Sequence, residues 1–246
     1  MALLNDLKIL YHLALSPIRG KTHAQRLESF YAGQAEGYDD FRKALLKGRE
    51  QLWEKLPRPE GGIWVDMGGG TGANLEYFGD SISKLKKIYV VDLSTSLLKM
   101  ARERAEKNGW DNVECVEADA TTWVPEEGKV DTVTFSYSLT MIPDWFAAVE
   151  HAHSLLKEGG TLGVVDFYVS RKYAAEGNKQ HGWSTRTFWP TWFSNDNVYP
   201  SPDHLPFIQR KFQTVSLQED RAKVPYLPLI KTPYYTFVGK KQVPNQ

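Results

Sequence analysis

The chain has 246 residues and a mass of 28.0 kDa, long enough for one large α/β domain or two small ones, and its 41% hydrophobic content places it with folded soluble proteins rather than disordered ones. Its 30 Lys and Arg balance 30 Asp and Glu, so no basic excess points to a nucleic-acid partner. One cysteine, Cys115, excludes an intramolecular disulfide and a thiolate metal cluster; it reads as a buried small hydrophobe in an intracellular, cytoplasmic chain.

The first residues carry an early acid, Asp6, and no small-residue cleavage site, so they do not read as a secretory signal. No apolar run reaches the ~18 residues needed to cross a bilayer. Leu3, Leu4, Leu7, Leu10, Tyr11 and Ala14 recur at helical spacing, which fits a helix packed on the domain or, second, one lying peripherally in a membrane interface such as that of the endoplasmic reticulum. Apolar positions at 41, 45, 52, 53 and 56 predict a helix over 41–56, stopped at Pro57, so residues 1–60 form a helical leader or lid.

From 61 to 170, strand-like and helix-like segments alternate, as in βαβ units with a parallel sheet. Strands are predicted at 63–67, 88–92, 113–118, 130–135 and 161–167, the last reached through Gly159 and Gly160, with a helix over 145–157. Residues 171–210 lose all periodicity and are rich in Trp, Phe, Tyr and Pro, which reads as a substrate-recognition insertion. Two terminal strands follow, at 212–217 and 234–238, within 211–246, and the whole of 1–246 reads as a single domain.

Asp66-x-Gly68-x-Gly70-x-Gly72 stands between the first strand and a helix, where glycines let the backbone turn tightly against a ligand. A loose dinucleotide fingerprint fits the same loop, but Asp66 would repel a pyrophosphate and would instead face an ammonium group. Asp92, twenty residues past Gly72, suits a ribose diol, and Asp119 offers an acceptor to an adenine amino group. A lone strand-end Asp is more often a helix cap; three together with the glycine loop suit S-adenosylmethionine.

On these residues the chain resembles the class I S-adenosylmethionine-dependent methyltransferases over roughly 60–170. That resemblance implies a Rossmann-like, seven-stranded, mostly parallel sheet with a reversed C-terminal hairpin, and cofactor contacts from Asp66, Gly68, Gly70, Thr71, Gly72, Asp92, Leu93, Asp119 and Ala120. It also implies that the fourth strand ends over the transferred methyl, at Ser136, Tyr137 and Ser138. Across nearly the whole chain, Phe30-Tyr31-x-x-Gln34-Ala35-x-x-Tyr38-Asp39-x-x-Arg42, Gly48-Arg49-Glu50, the run from Ser136 to Pro143, the run from Gly163 to Tyr168, Leu205-Pro206-Phe207 and Val224-Pro225-Tyr226-Leu227-Pro228 are similar to the methyltransferase component of betaine-lipid (diacylglyceryl-trimethylhomoserine) synthesis. This narrower resemblance implies three methylations of the diacylglyceryl-homoserine amine, with S-adenosylhomocysteine as the other product, and a partner or fused enzyme that builds the headgroup. The 246 residues fit either an excised domain or a stand-alone subunit.

Tyr38 and Arg42 fall on one face of the leader if its helix begins before Asp39, which makes both candidates to close over the cofactor. Tyr137 and Tyr168 are candidate catalytic residues, because aromatic faces suit an amine that stays cationic as it is methylated. Arg42, Arg49, Arg171, Lys172 and Arg186 are candidates for the headgroup carboxylate, and His181 and His204 for a base. His151 and His153, two apart on a helix, cannot share a face, so no metal is expected. The competing readings are a methyltransferase acting on nitrogen or oxygen of a soluble small molecule, an NAD-dependent reductase through Tyr168-x-x-x-Lys172, and a non-catalytic scaffold.

Overall fold

The computed structural model describes Thr22, Gln25 and residues 45–194, 197–224 and 227–242. Its strands are β1 (Ile63–Met67), β2 (Lys87–Asp92), β3 (Val113–Glu117), β4 (Val130–Ser136), β5 (Leu156–Phe167), β6 (Gln213–Val224) and β7 (Leu227–Lys240). They form one seven-stranded sheet in the order β3-β2-β1-β4-β5-β7-β6. β1 to β5 are parallel, and β7 runs antiparallel to both β5 and β6, which is the expected reversed hairpin.

Helices cover both faces: α1 (Arg49–Lys55), α2 (Thr95–Asn108), α3 (Trp145–Leu155), α4 (Trp183–Phe193) and α5 (His204–Lys211), with a 3₁₀-helix over Ala73–Lys84 that is broken by a kink at Gly79. A strand covered on both faces reads as an unbroken apolar run, and β1 is buried at all its positions. Alternation then divides the core. Val65, Met67, Val133 and Phe135 face α3 and α5, while Trp64 faces the layer of α1, α2, α4 and the 3₁₀-helix. Asp66 shares the face of Trp64, so its carboxylate is directed at the 3₁₀-helix.

The structure departs from expectation in four places. The helix over 41–56 is interrupted: Gly48 has φ 86°, and a Cβ there would stand 2.5 Å from the Tyr234 ring, so α1 begins only at Arg49. α3 ends at Leu155, and β5 starts at Leu156, pairing with Val130 before a register shift carries it past Gly159 and Gly160. The aperiodic segment contains α4 and α5; Pro190 lies inside α4, and Pro206 in the first turn of α5 needs no intrahelical donor. β6 and β7, of 12 and 14 residues, far exceed the two short terminal strands expected. The proposed leader stripe, Tyr31, Tyr38 and Arg42 lie outside the described residues.

Trp64 links core to site. Its ring packs against Trp53 and Phe78, and its Nε1–H donates to Thr134 Oγ1 at 3.0 Å, which in turn donates to Asp66 Oδ1 at 2.7 Å. Trp64→Ala should cost ~3–5 kcal/mol of unfolding free energy as a buried aromatic deletion, and Trp64→Phe only ~1–2 kcal/mol. Urea denaturation of the two variants measures both; equal losses would show that the hydrogen bond, not the packed ring, carries the stability.

Candidate active site

The carboxyl ends of β1, β2 and β4 open on a cavity of about 410 Å³. Gly68 and Gly70 form its floor, with φ of 67° and 56°, the left-handed region that favours glycine. A Cβ on Gly68 would stand 2.5 Å from Ser138 Cβ, so only glycine lets the loop after β1 lie this close to the turn after β4. Gly72, also left-handed at φ 67°, packs instead against Ala101 of α2 and does not line the cavity.

Asp92 ends β2 and lines the cavity. Its Oδ2 accepts from Gly70 N–H at 2.9 Å and its Oδ1 from Ser94 N–H at 2.9 Å, so the glycine loop and the cap of α2 converge on one carboxylate. Leu93, Asp119 and Ala120 line the same cavity. Asp119 Oδ1 accepts from the amide and hydroxyl of Thr121, which fixes that carboxylate at the rim.

Asp66 lies beneath the floor, only 3% exposed, and does not line the cavity. Asn74 Nδ2 donates to its Oδ2 at 2.9 Å and Thr134 to its Oδ1. Burial pushes its pKa up to about 6, against those two hydrogen bonds and the charge of Arg49, which lower it. Ser136 is also buried behind the floor, its hydroxyl donating to Asn74 Oδ1 at 3.4 Å, and Arg49 reaches the same oxygen at 3.5 Å. Thr71 is buried away from the cavity.

The two candidate tyrosines are on opposite faces of the sheet. Tyr137 lines the cavity with φ 55°, and its hydroxyl donates to Lys47 O at 2.5 Å. Burial holds its phenol well above the ordinary range, so at neutral pH it presents a neutral ring and no base. Tyr168 points the other way: its hydroxyl donates to Glu219, and it lines a separate pocket. Because Tyr168 leaves a strand rather than lying on a helix, the Tyr168-x-x-x-Lys172 pattern has no reductase geometry.

His181 and His204 are buried, not solvated, and neither lines the cavity. His181 Nδ1 accepts from Ser170 N–H at 3.0 Å, and burial lowers its pKa to about 4 and that of His204 to about 3. Arg171 pairs with Asp203 at 2.6 Å, and Lys172 lies over the Tyr173 ring. Thr22, Met141 and Asp144 line the cavity without having been singled out as site residues. The run from Ser136 to Pro143 was the available signal for Met141. Asp144 caps α3 by accepting from Ala147 N–H, a role visible only once the helix start is known.

The described lining includes three carboxylates, Asp92, Asp119 and Asp144, and no Lys, Arg or His. Such a set opposes a pyrophosphate and suits a cation. Apolar Val91, Leu97 and Ala118 accompany them, so the residues fit S-adenosylmethionine, with Gly68, Gly70 and Asp92 to hold the amino-acid and ribose parts and Asp119 and Ala120 the adenine.

Known proteins agree with this chemistry. The profile of the ubiE/COQ5 methyltransferase family matches residues 20–181. Ubiquinone/menaquinone biosynthesis C-methyltransferase UbiE of Escherichia coli O1:K1 is 26% identical over 162 residues, which are 63% of this chain and 64% of the relative. The chain therefore spans under two thirds of the length of such curated relatives. Among solved structures, a SAM-dependent methyltransferase from Aquifex aeolicus has a TM-score of 0.55 at 16% identity over 81% of this chain and 92% of its own. A phosphoethanolamine N-methyltransferase of Haemonchus contortus, in complex with phosphomonomethylethanolamine and S-adenosylhomocysteine, has a TM-score of 0.59 at 16% identity over 84% of this chain and 53% of its own. At these identities the structures speak for the fold alone.

Asp92→Ala should weaken S-adenosylhomocysteine binding by ~2–3 kcal/mol in calorimetry, as for a lost charged hydrogen bond. Unchanged affinity in a folded variant removes Asp92 from the site. A second expectation concerns pH. The folded-state pKa of Asp66 is raised, so its contribution to stability is complete below about pH 4 and is lost as pH rises through about 6. The stability deficit of Asp66→Asn relative to the parent should accordingly shrink by ~1 kcal/mol between pH 5 and pH 8 in urea melts. A deficit that grows over that interval contradicts the burial argument.

Proposed function

Because the chain belongs to the ubiE/COQ5 methyltransferase family, we propose that it transfers the methyl group of S-adenosylmethionine to an amine, the headgroup nitrogen of diacylglyceryl-homoserine, in three successive steps. The observation that carries the amine is the cavity lining: three carboxylates, the Tyr137 ring and no cation among the described residues. Bound S-adenosylmethionine supplies an electrophilic sulfonium methyl. The chain's own part is to orient the acceptor and to tolerate positive charge on it. The nitrogen attacks with its lone pair, so an ammonium first gives a proton to water; no described lining residue is a histidine or lysine. The Tyr137 ring lines the cavity, its hydroxyl bonded to Lys47 O just before α1 and the Arg49 guanidinium 6.0 Å from its centroid, so a cation is already accommodated against this ring.

The lipid part rests on the similarity to the betaine-lipid enzymes and on α4. Trp183, Phe188 and Trp192 of α4 are 74%, 42% and 44% exposed, and the helix carries one charged side chain, Arg186. Ring contacts run inward from Phe188 through Trp189, Phe193 and Phe167 to Tyr137, with centroids 5.0, 5.4, 4.8 and 4.6 Å apart. An aromatic surface continuous with the cavity wall supports a peripheral membrane contact beside the site. Among the described residues no helix is long and apolar enough to cross a membrane.

A second reading, methylation of a quinol ring carbon, is favoured by the similarity to the ubiquinone/menaquinone biosynthesis C-methyltransferase UbiE. A quinol must shed a hydroxyl proton and build negative charge, which three carboxylates with no cation among the described lining residues oppose. Radiolabelled methyl transfer separates the readings, with diacylglyceryl-homoserine in vesicles, its deacylated headgroup, and a demethylated quinol as acceptors. The lipid should show a kcat/KM at least about tenfold above its soluble headgroup, mainly through KM, because chain contacts remote from the amine bind ground and transition states alike. Equal values for the two would overturn the lipid and leave a soluble amine; label in the quinol alone would overturn the amine.

A further inference from the structure

Asp166 is fully buried near the end of β5, outside the cavity lining, yet its carboxylate is tied to the cavity wall. Thr140 donates to it twice, from its hydroxyl to Oδ1 at 2.7 Å and from its amide to Oδ2 at 3.2 Å. The Phe167 amide adds a bond to Oδ1 at 2.8 Å, and the Leu139 amide also donates. All of these partners donate, the arrangement that suits an ionised acceptor.

Thr140 is the centre of the turn after β4. Met141 and Ile142 amides close that turn on Ser138 O at 3.0 Å each, and Ser138 Oγ holds it to Met67 O at 2.8 Å. Ser138, Met141, Ile142, Pro143 and Asp144 then line the cavity opposite the Asp92 and Asp119 side. Among the described residues Asp166 is the acceptor for the Thr140 hydroxyl, while Thr140 O accepts from Tyr199 N–H at 2.8 Å, so the turn also joins the segment after α4.

We propose that Asp166 is the positioning residue for the acceptor side of the cavity: through Thr140 it sets the turn 138–143 and hence the wall that meets the methyl acceptor. This rests on the cavity being the methyl-transfer site. Asp166 touches neither cofactor nor acceptor and acts only through Thr140. The titratable groups that face it are the phenols of Tyr137, beyond β4, and Tyr235, opposite it on β7, both held protonated by burial. Burial also pushes its own pKa up to about 7.

The test uses Asp166→Asn, which puts a donor where donors already converge, Thr140→Val, which deletes the hydroxyl, and Thr140→Ser, which keeps it. In each, amide exchange over 138–143, S-adenosylhomocysteine affinity, and kcat and KM for vesicular diacylglyceryl-homoserine are measured. Asp166→Asn and Thr140→Val should speed exchange at Thr140 to Ile142 about tenfold and raise acceptor KM about tenfold, with cofactor affinity within about threefold and Thr140→Ser close to the parent. Unchanged exchange, or a loss of cofactor affinity as large as that for the acceptor, overturns the proposal. If Asp166→Asn does not fold, the two Thr140 variants decide. If the parent methylates nothing, the proposed function fails, and the exchange and cofactor measurements still judge the turn.

Discussion

Burying a carboxylate at the tip of a central strand costs several kcal/mol unless the surroundings return hydrogen bonds, and Asp66 is buried in that way. Its two oxygens accept from Asn74 on the 3₁₀-helix and Thr134 on β4, so β1, β4 and the 3₁₀-helix are tied at one point. The chain between β1 and that helix must then turn within residues 68–72, which is possible only through left-handed glycines. The close approach of Gly68 to Ser138 follows, and with it the shape of the cavity floor. Asp66 therefore supports the cavity floor from below, as part of its foundation.

The sheet was legible because parallel strands covered on both faces are short apolar runs punctuated by glycine and acid, and β1 to β4 were read to within a residue or so at each end. β5 was read short because Gly159 and Gly160 look like a loop, whereas Leu156 already pairs with Val130 before them. α4 and α5 were missed for a different reason. Each carries a proline, and α4 packs Trp189 and Phe193 inward while leaving Trp183, Phe188 and Trp192 outside, so no polar face marks a helical period. Local patterning cannot separate such a helix from an irregular aromatic loop.

At the site, Asp92, Leu93, Asp119, Ala120, Gly68, Gly70 and Tyr137 were placed by strand-end spacing and by resemblance, and all line one cavity. Asp66, Ser136 and Tyr168 carry the same kind of signal but not the same position. Side-chain alternation decides this: Asp66 and Ser136 turn toward Asn74, and Tyr168, one residue after Phe167, takes the opposite face to the ring beside Tyr137. A motif gives the order of residues along the chain. Which face each one takes depends on a register that only the paired strands set.

The cavity's charge also limits what kind of catalysis it can provide. Methyl transfer from a sulfonium to a neutral amine moves one positive charge from sulfur to nitrogen and creates none, so a lining with carboxylates and no described cation tolerates that charge both before and after the step. A lining of this kind gives no large differential binding of the transition state by electrostatics alone. It does favour keeping a cation in place while its donors are replaced by methyl groups, which successive methylation of one amine requires. The rate must then come mainly from holding the acceptor in line, and that depends on how firmly the wall after β4 is fixed. On the proposed reading, the rigidity of residues 138–143, tied to Asp166 through Thr140, is the fold's means of control over turnover.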